Sequence, residues 1–133
     1  MKHIDLHYMS IAEAGTLIRD KELSPVEYVK ALIERAEAVN PLLDAYVLAT
    51  PEVALRQAEE AEAEIAAGNW RGPMHGIPFA LKDIYDTAGI RTTAHSKQLI
   101  NNVPKQDAVT VRNLLNSGAV LMGKLASYEF AHG

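Results

Sequence analysis

Gly76-Ile77-Pro78-Phe79-Ala80-Leu81-Lys82-Asp83 and Gly118-Ala119-Val120-Leu121-Met122-Gly123-Lys124-Leu125 are two short apolar runs, each entered through a glycine. Their length and flanking turn residues read as buried strands, Ile77–Leu81 and Ala119–Leu125, apolar on both faces. Between them Asp107 is placed to cap a helix carrying Val109, Val111, Leu114 and Leu115, which Gly118 closes. Strand, helix and strand at this spacing predict a right-handed βαβ unit in a largely parallel sheet. The connection from Asp83 to Gln106 is too long for a plain loop in a compact domain, and segments of that kind are often functional.

Upstream, the chain reads as helices. Ser10-Ile11-Ala12-Glu13 has the form of a capping box, opening a helix to about Asp20 with Ile11, Ala14, Leu17 and Ile18 on one face. Ser24-Pro25-Val26-Glu27 is a stronger start: a cap, a proline at the first helical position and a glutamate able to bond back. Val26, Val29, Leu32, Ile33 and Ala36 follow at helical spacing until Asn40-Pro41, which should end the helix. The tight joint predicts that these two helices pack as a hairpin. Ala45–Leu48 reads as a short strand, and Thr50-Pro51 starts a third helix that Gly68 terminates. Glu52, Glu59, Glu60, Glu62 and Glu64 give that helix a solvated acidic face rather than a docking face.

The fold class expected is therefore α/β: N-terminal helices (1–70, mainly a helical layer) followed by the first strands of a mixed, largely parallel sheet (71–133). A sheet covered on both faces needs more strands and helices than the 133 residues supply, so the chain reads as truncated after Gly133. The expected companion is a second copy, through self-association, or the remainder of a longer parent.

Composition excludes several classes. Hydrophobic residues make up 48% and charged residues 23%, with a formal net charge of -4 and no Lys/Arg cluster, which argues against nucleic acid as a partner. With no cysteine, disulfides, thiolate zinc sites and a cysteine nucleophile are ruled out. Met1-Lys2-His3-Ile4-Asp5 opens no secretory signal and no run is long enough for a membrane span, so no membrane partner is expected and the cytoplasm is the default compartment. His3 and His7 could share a helix face as metal ligands, but no third ligand is near, so no metal is assigned.

Lys82 is the residue that pattern alone leaves open. It could mark the exit of a strand into water, or it could be a lysine in a partly buried cleft whose desolvated amine is usable as a base. It falls at the carboxyl end of a strand, where ligands of open α/β sheets bind. His75 reads as a turn former, and Lys97 and Lys124 read as structural or solvent-facing. Ser10 and Ser24 read as caps, and Ser96, Ser117 and Ser127 sit in no Gly-rich nucleophile turn.

A resemblance sharpens this. Gly72-Pro73-Met74-His75-Gly76-Ile77-Pro78-Phe79-Ala80-Leu81-Lys82-Asp83 resembles the GPLxGIPxxxKD motif of the amidase-signature family. The likeness continues, in the family's order and spacing, through Thr87–Ala94, Ser96-Lys97, Asp107–Val111, Gly118–Lys124 and Glu129-Phe130-Ala131. It implies an incomplete amidase-signature fold and a Ser–cis-Ser–Lys triad in which Lys82 is the lysine. Both serines and the oxyanion-hole amides would lie in Gly/Ser-rich loops beyond Glu-Phe-Ala. The implied reaction is hydrolysis of a small-molecule carboxylic amide to acid and ammonia or amine through an acyl-serine, with no metal and no cofactor. A base can be lysine only when neutral, which calls for burial or cationic neighbours. Asp83 is expected to bond loop amides, since a free carboxylate against Lys82 would hold it protonated. In tRNA-dependent amidotransferases, the A subunits usually continue Glu-Phe-Ala with Met-Gly-Ser; His132-Gly133 here leans toward a stand-alone amidase. A non-catalytic fragment or interaction module is the alternative from another class.

Overall fold

The structure, a computed structural model, describes residues 5–133. His3 and the residues read as lacking a signal sequence fall largely outside that span. Among the described residues four α-helices and three strands follow in the order α1 (Ile11–Arg19), α2 (Pro25–Leu43), β1 (Tyr46–Ala49), α3 (Pro51–Ala66), β2 (Pro78–Lys82), α4 (Val109–Asn116) and β3 (Val120–Leu125). The sheet order is β1-β3-β2, so the last strand in the sequence is the central one. β2 runs parallel to β3, as the crossover through α4 requires, and β1 runs antiparallel to it. The expected mixed α/β architecture is what forms.

Local signals act as chemistry dictates. Ser10 accepts from the Glu13 amide while the Glu13 carboxylate accepts from the Ser10 amide at 2.9 Å, a complete capping box. Ser24 also caps, accepting from the Glu27 amide at 3.1 Å. Its hydroxyl donates to Glu62 on α3, a tie between helices, and the expected acceptance by Glu27 from the Ser24 amide is not seen among the described residues. Gly68 ends α3 at φ 88°, its amide donating to Ile65 and the next amide, Asn69, to Glu64. Gly118 ends α4 in the same way, through Gly118 to Leu115 and Ala119 to Leu114, and delivers the chain straight into β3.

Two helix ends and one helix packing differ from expectation. α2 continues to Leu43 with Pro41 inside its last turn. A proline there removes only its own amide, while Asp44 in the left-handed region donates to Asn40 O and the Asn40 side chain accepts from Tyr46. Asp107 does not cap α4; Ala108 holds that position, and the Asp107 carboxylate accepts from Ala88 instead, at 2.7 Å. The expected hairpin of the first two helices gives way to α2 lying chiefly along α3.

The sheet is covered on both faces. Val29 of α2 and Ala54 and Ala58 of α3, all fully buried, pack on Val120 and Met122. On the other face Val111 of α4 packs on Leu81 and Leu121. A third cluster joins Ala14 and Ile18 of α1 to Tyr28, Ile65 and Ile77. Full burial of each such Val, Leu or Ile is worth roughly 1.5–3 kcal/mol.

β3 carries a bulge. Phe79 pairs with Leu121 but Ala80 pairs with Gly123, leaving Met122 as an extra residue. The Leu121 amide, unpaired in the sheet there, donates to Gln57 of α3 at 2.7 Å. Gly123 has φ 151°, and a Cβ on it would stand 2.4 Å from Leu48 O, so β1 approaches closer than any side chain would permit.

Among the described residues β2 pairs with β3 alone, and Pro78, Phe79 and Ala80 of β2 help to line a mainly apolar groove of about 380 Å³ between α2 and the sheet, with Leu32, Val39, Leu43 and Tyr46. Leu42 and Leu43 beside it are 85% and 66% exposed. An open parallel edge flanked by apolar surface templates association. The chain by itself is expected to self-associate at high micromolar concentration in light scattering. A monomer with uniformly slow hydrogen exchange across 77–81 and 119–125 would show that it closes its own core.

Candidate active site

Lys82 is the last residue of β2, opposite Leu125 of β3. Its side chain is exposed, and among the described residues its ammonium has no hydrogen-bond or ion-pair partner. The chain thus places Lys82 at the predicted strand end but does not itself supply the cleft that would desolvate it. Its backbone is held firmly: Lys82 O accepts from Ile84 at 2.7 Å and Tyr85 at 3.2 Å, and the next amide, Asp83, extends the ladder to Leu125 O at 2.9 Å.

Asp83 faces away from Lys82 in its bonding. It is 1% exposed, and its Oδ2 accepts from the Thr93 amide at 3.1 Å and from the Thr93 hydroxyl. Its carbonyl accepts from Ala94 at 2.7 Å. Bonding to a loop amide is the expected structural role. The cation that meets its carboxylate is Lys124, whose Nζ lies 3.4 Å from Asp83 Oδ1.

Lys124 is the residue that sequence reasoning undervalued. It is structural, but far from solvent-facing: it is fully buried and the largest such side chain among the described residues. Nζ donates to Tyr85 O at 2.8 Å, Thr87 Oγ1 at 3.1 Å and Thr92 Oγ1 at 2.7 Å. Burial pulls its ammonium pKa below the ordinary lysine range, while Asp83 and, more weakly, Asp86 push it back up. The available signal was the bulge: Gly123 in mid-strand hinted at an irregularity that turns the following residue over.

The long connection after Lys82 is a pinned structure. Gly89 donates to Pro104 O at 3.0 Å, Thr92 to Asn102 O at 2.9 Å, and Ala108 to Asp86 O at 2.8 Å. Ala94 and His95 adopt left-handed backbone at φ 48° and 55°, as do Phe130 and Ala131 at 50° and 59°. The two strained pairs are joined, Phe130 N donating to Ala94 O at 2.8 Å and Ser96 Oγ to Glu129 Oε1 at 2.7 Å. Such conformations persist only where surroundings over-determine them, and they gather at functional sites. Of the other serines, Ser117 donates to Leu114 O at 2.6 Å, and Ser127 Oγ is buried with no partner among the described residues.

His75, in the turn before β2, is buried against Gly118, where a Cβ would stand 2.3 Å from its ring. Nδ1 accepts from the Arg71 amide at 3.0 Å, so Nε2 carries the proton; it lies 3.1 Å from Glu64 Oε2, off the hydrogen-bonding direction. Glu64 is itself bound by the Arg71 guanidinium. His7 sits apart, 3.3 Å from Ala31 O, and among the described residues no group of three or more His, Cys, Asp or Glu could hold a metal ion. No helix of the described residues is long and apolar enough to cross a membrane.

With strand-end lysine, buried aspartate and pinned loop in view, comparison with known proteins defines the class. The amidase family model matches residues 27–133, and the chain belongs to that family. It is 48% identical over 130 residues to the glutamyl-tRNA(Gln) amidotransferase A subunit of Geobacter metallireducens and 46% identical to that of Carboxydothermus hydrogenoformans, each match covering 98% of this chain. Among solved structures it resembles the native peptide amidase from Stenotrophomonas maltophilia, with 33% identity and a TM-score of 0.86 over 92% of this chain and 26% of that one. The chain spans 27% of the length of those two curated relatives.

Burial lowers the His75 pKa below the usual imidazole range; Glu64 opposes this and the Arg71 charge adds to it. A depressed folded pKa means the unfolded chain binds more protons. Stability should therefore be full above the unfolded value of about 6.5 and fall as pH drops from there through the folded pKa. Protection factors for the Gly76 and Ala119 amides are expected to fall with pH in that window, and His75→Asn, which can keep an acceptor near the Arg71 amide, to flatten the fall. An unchanged pH slope in His75→Asn would contradict it.

Proposed function

We propose that Lys82 is the general base of an amide hydrolase, and that this chain forms the first part of that enzyme's single domain. One observation carries the reading: among the described residues the Lys82 ammonium has no partner, and it stands at the carboxyl end of a parallel strand on a rigidly tied backbone, while Lys124 and Asp83 engage each other. Asp83, the neighbour of Lys82 in the chain, is taken up by Thr93 and Lys124.

In the intact enzyme, later chain segments would cover Lys82 and bring two serines to it. Neutral Lys82 would take the proton of the nucleophilic serine through the bridging serine. The oxygen of the nucleophilic serine would attack the amide carbon, and the nitrogen would leave carrying the relayed proton. Water would then hydrolyse the acyl-serine. The identity to amidotransferase A subunits favours glutamine as the amide and protein subunits as partners, above the stand-alone reading drawn from His132-Gly133. A glutaminase assay with and without partner subunits separates the two.

In the full-length parent, Lys82→Ala is expected to lower kcat by at least about 100-fold, the scale for loss of a general base. Near-wild-type turnover would remove Lys82 from the mechanism. The 133-residue chain alone, lacking nucleophile and oxyanion donors in this reading, is expected to release no ammonia from glutamine or simple aliphatic and aromatic amides. Release above a buffer blank, from a preparation free of host amidases, would show the chemistry to be already present.

A further inference from the structure

We propose that Lys124 is a positioning residue for Lys82: its buried ammonium clamps both arms of the loop that follows β2, and so fixes where the Lys82 side chain begins and keeps the Asp83 charge away from it. The proposal rests on reading Lys82 as the base.

A lysine in this interior needs a reason. Methionine or leucine would fill the same space more favourably, because an ammonium must be stripped of water. Here all three of its N–H donors are matched. They go to Tyr85 O, Thr87 Oγ1 and Thr92 Oγ1, and each threonine hydroxyl passes its own proton on, Thr87 to Tyr85 O at 3.0 Å and Thr92 to Ile90 O at 3.1 Å. The acceptors come from both arms of the loop: Tyr85 and Thr87 leaving β2, Thr92 returning. The cation therefore closes the loop in a way that no apolar residue could.

This closure acts on Lys82 through its backbone. Tyr85 is held on one side by Lys124 and on the other by its amide bond to Lys82 O, and Asp83 joins Leu125 directly beyond Lys124. Lys82 has no side-chain partner of its own among the described residues, so its placement comes from this frame. The electrostatic part follows from the charges around Lys124. Asp83 faces it at 3.4 Å and Asp86 acts on it from the same loop. Without the Lys124 charge, the Asp83 carboxylate, one residue from Lys82, is uncompensated and favours protonated Lys82.

The test uses the full-length parent, with L-glutamine and benzamide as probes of ammonia release. Lys124→Met, which keeps length and removes charge, is expected to lower kcat by about tenfold or more with KM within about threefold, since small misplacements of a reacting group are costly. The acid limb of its pH–kcat profile should move to higher pH, a change that mere loosening would not produce. Thr92→Val, which removes one acceptor but keeps the Lys124 charge beside Asp83, should lower kcat by less and leave the acid limb in place. Lys124→Met folded and indistinguishable from wild type in kcat and acid limb overturns the proposal. If Lys124→Met fails to fold, Thr92→Val with wild-type kcat overturns it. Lys82→Ala separates the two readings: an active Lys82→Ala overturns the base assignment and this role with it, whereas an inactive Lys82→Ala beside a wild-type Lys124→Met overturns the positioning role alone.

Discussion

Where β2 advances one residue, from Phe79 to Ala80, β3 advances two, from Leu121 to Gly123. The rest of the structure depends on that bulge. It reverses the alternation of β3, so that Lys124 comes opposite Leu81 and shares the α4 face of the sheet with Leu121. It is tolerated because Gly123 has no side chain to meet Leu48 O and because Gln57 takes up the Leu121 amide. Were β3 to alternate regularly through Met122 and Gly123, Lys124 would point at the α2–α3 layer, where Val29, Ala54 and Ala58 offer an ammonium nothing. With it, the ammonium enters a nest of loop oxygens. A backbone irregularity on one strand thus decides what the end of the neighbouring strand looks like.

The polar interior this creates is closed in its bonding. Asp83, Thr87, Thr92, Thr93, Ser96 and Lys124 are all buried, yet nearly every one of their side-chain atoms has a partner. Satisfied networks of this kind rigidify, whereas half-satisfied ones are costly. The exception, Asp83 Oδ1, is the atom that faces Lys124 at 3.4 Å, slightly too far for a good hydrogen bond but well within ionic reach. The long connection that length alone marked as unusual is therefore a fixed platform.

Much of the fold could be read from the sequence because local chemistry decided it. Ser10 with Glu13, Ser24 with Pro25, Gly68 and Gly118 begin and end helices through bonds that involve only near neighbours. The expected starts of the two parallel strands fall within a residue of the observed ones, and Lys82 lies at the end of the expected strand. What could not be read was set at a distance. Leu81-Lys82-Asp83 and Gly123-Lys124-Leu125 look alike as strand endings, yet one lysine is exposed and the other fully buried, because the difference lies in a register shift between strands. Asp107 has a capping side chain, but the Ala88 amide across the loop claimed it. The partner of α2 was decided by the strand between α2 and α3, which draws both helices onto one face of β3.

That strand order governs when the sheet can exist during synthesis. β1 and β2 hydrogen-bond to β3 and not to each other, and β3 ends at Leu125. As the chain is made from its amino end, both outer strands emerge before the strand that joins them, with more than seventy residues between Ala49 and the last pairing residue of β3. Helices α1 and α2 can form as they emerge, through their own Ser10 and Ser24 caps, but they have no sheet to rest on until then. Non-local pairing is slow because chain entropy must be lost before contacts reward it. During that interval Ile77–Leu81 is an apolar segment without a partner, the kind of species that chaperones recognise.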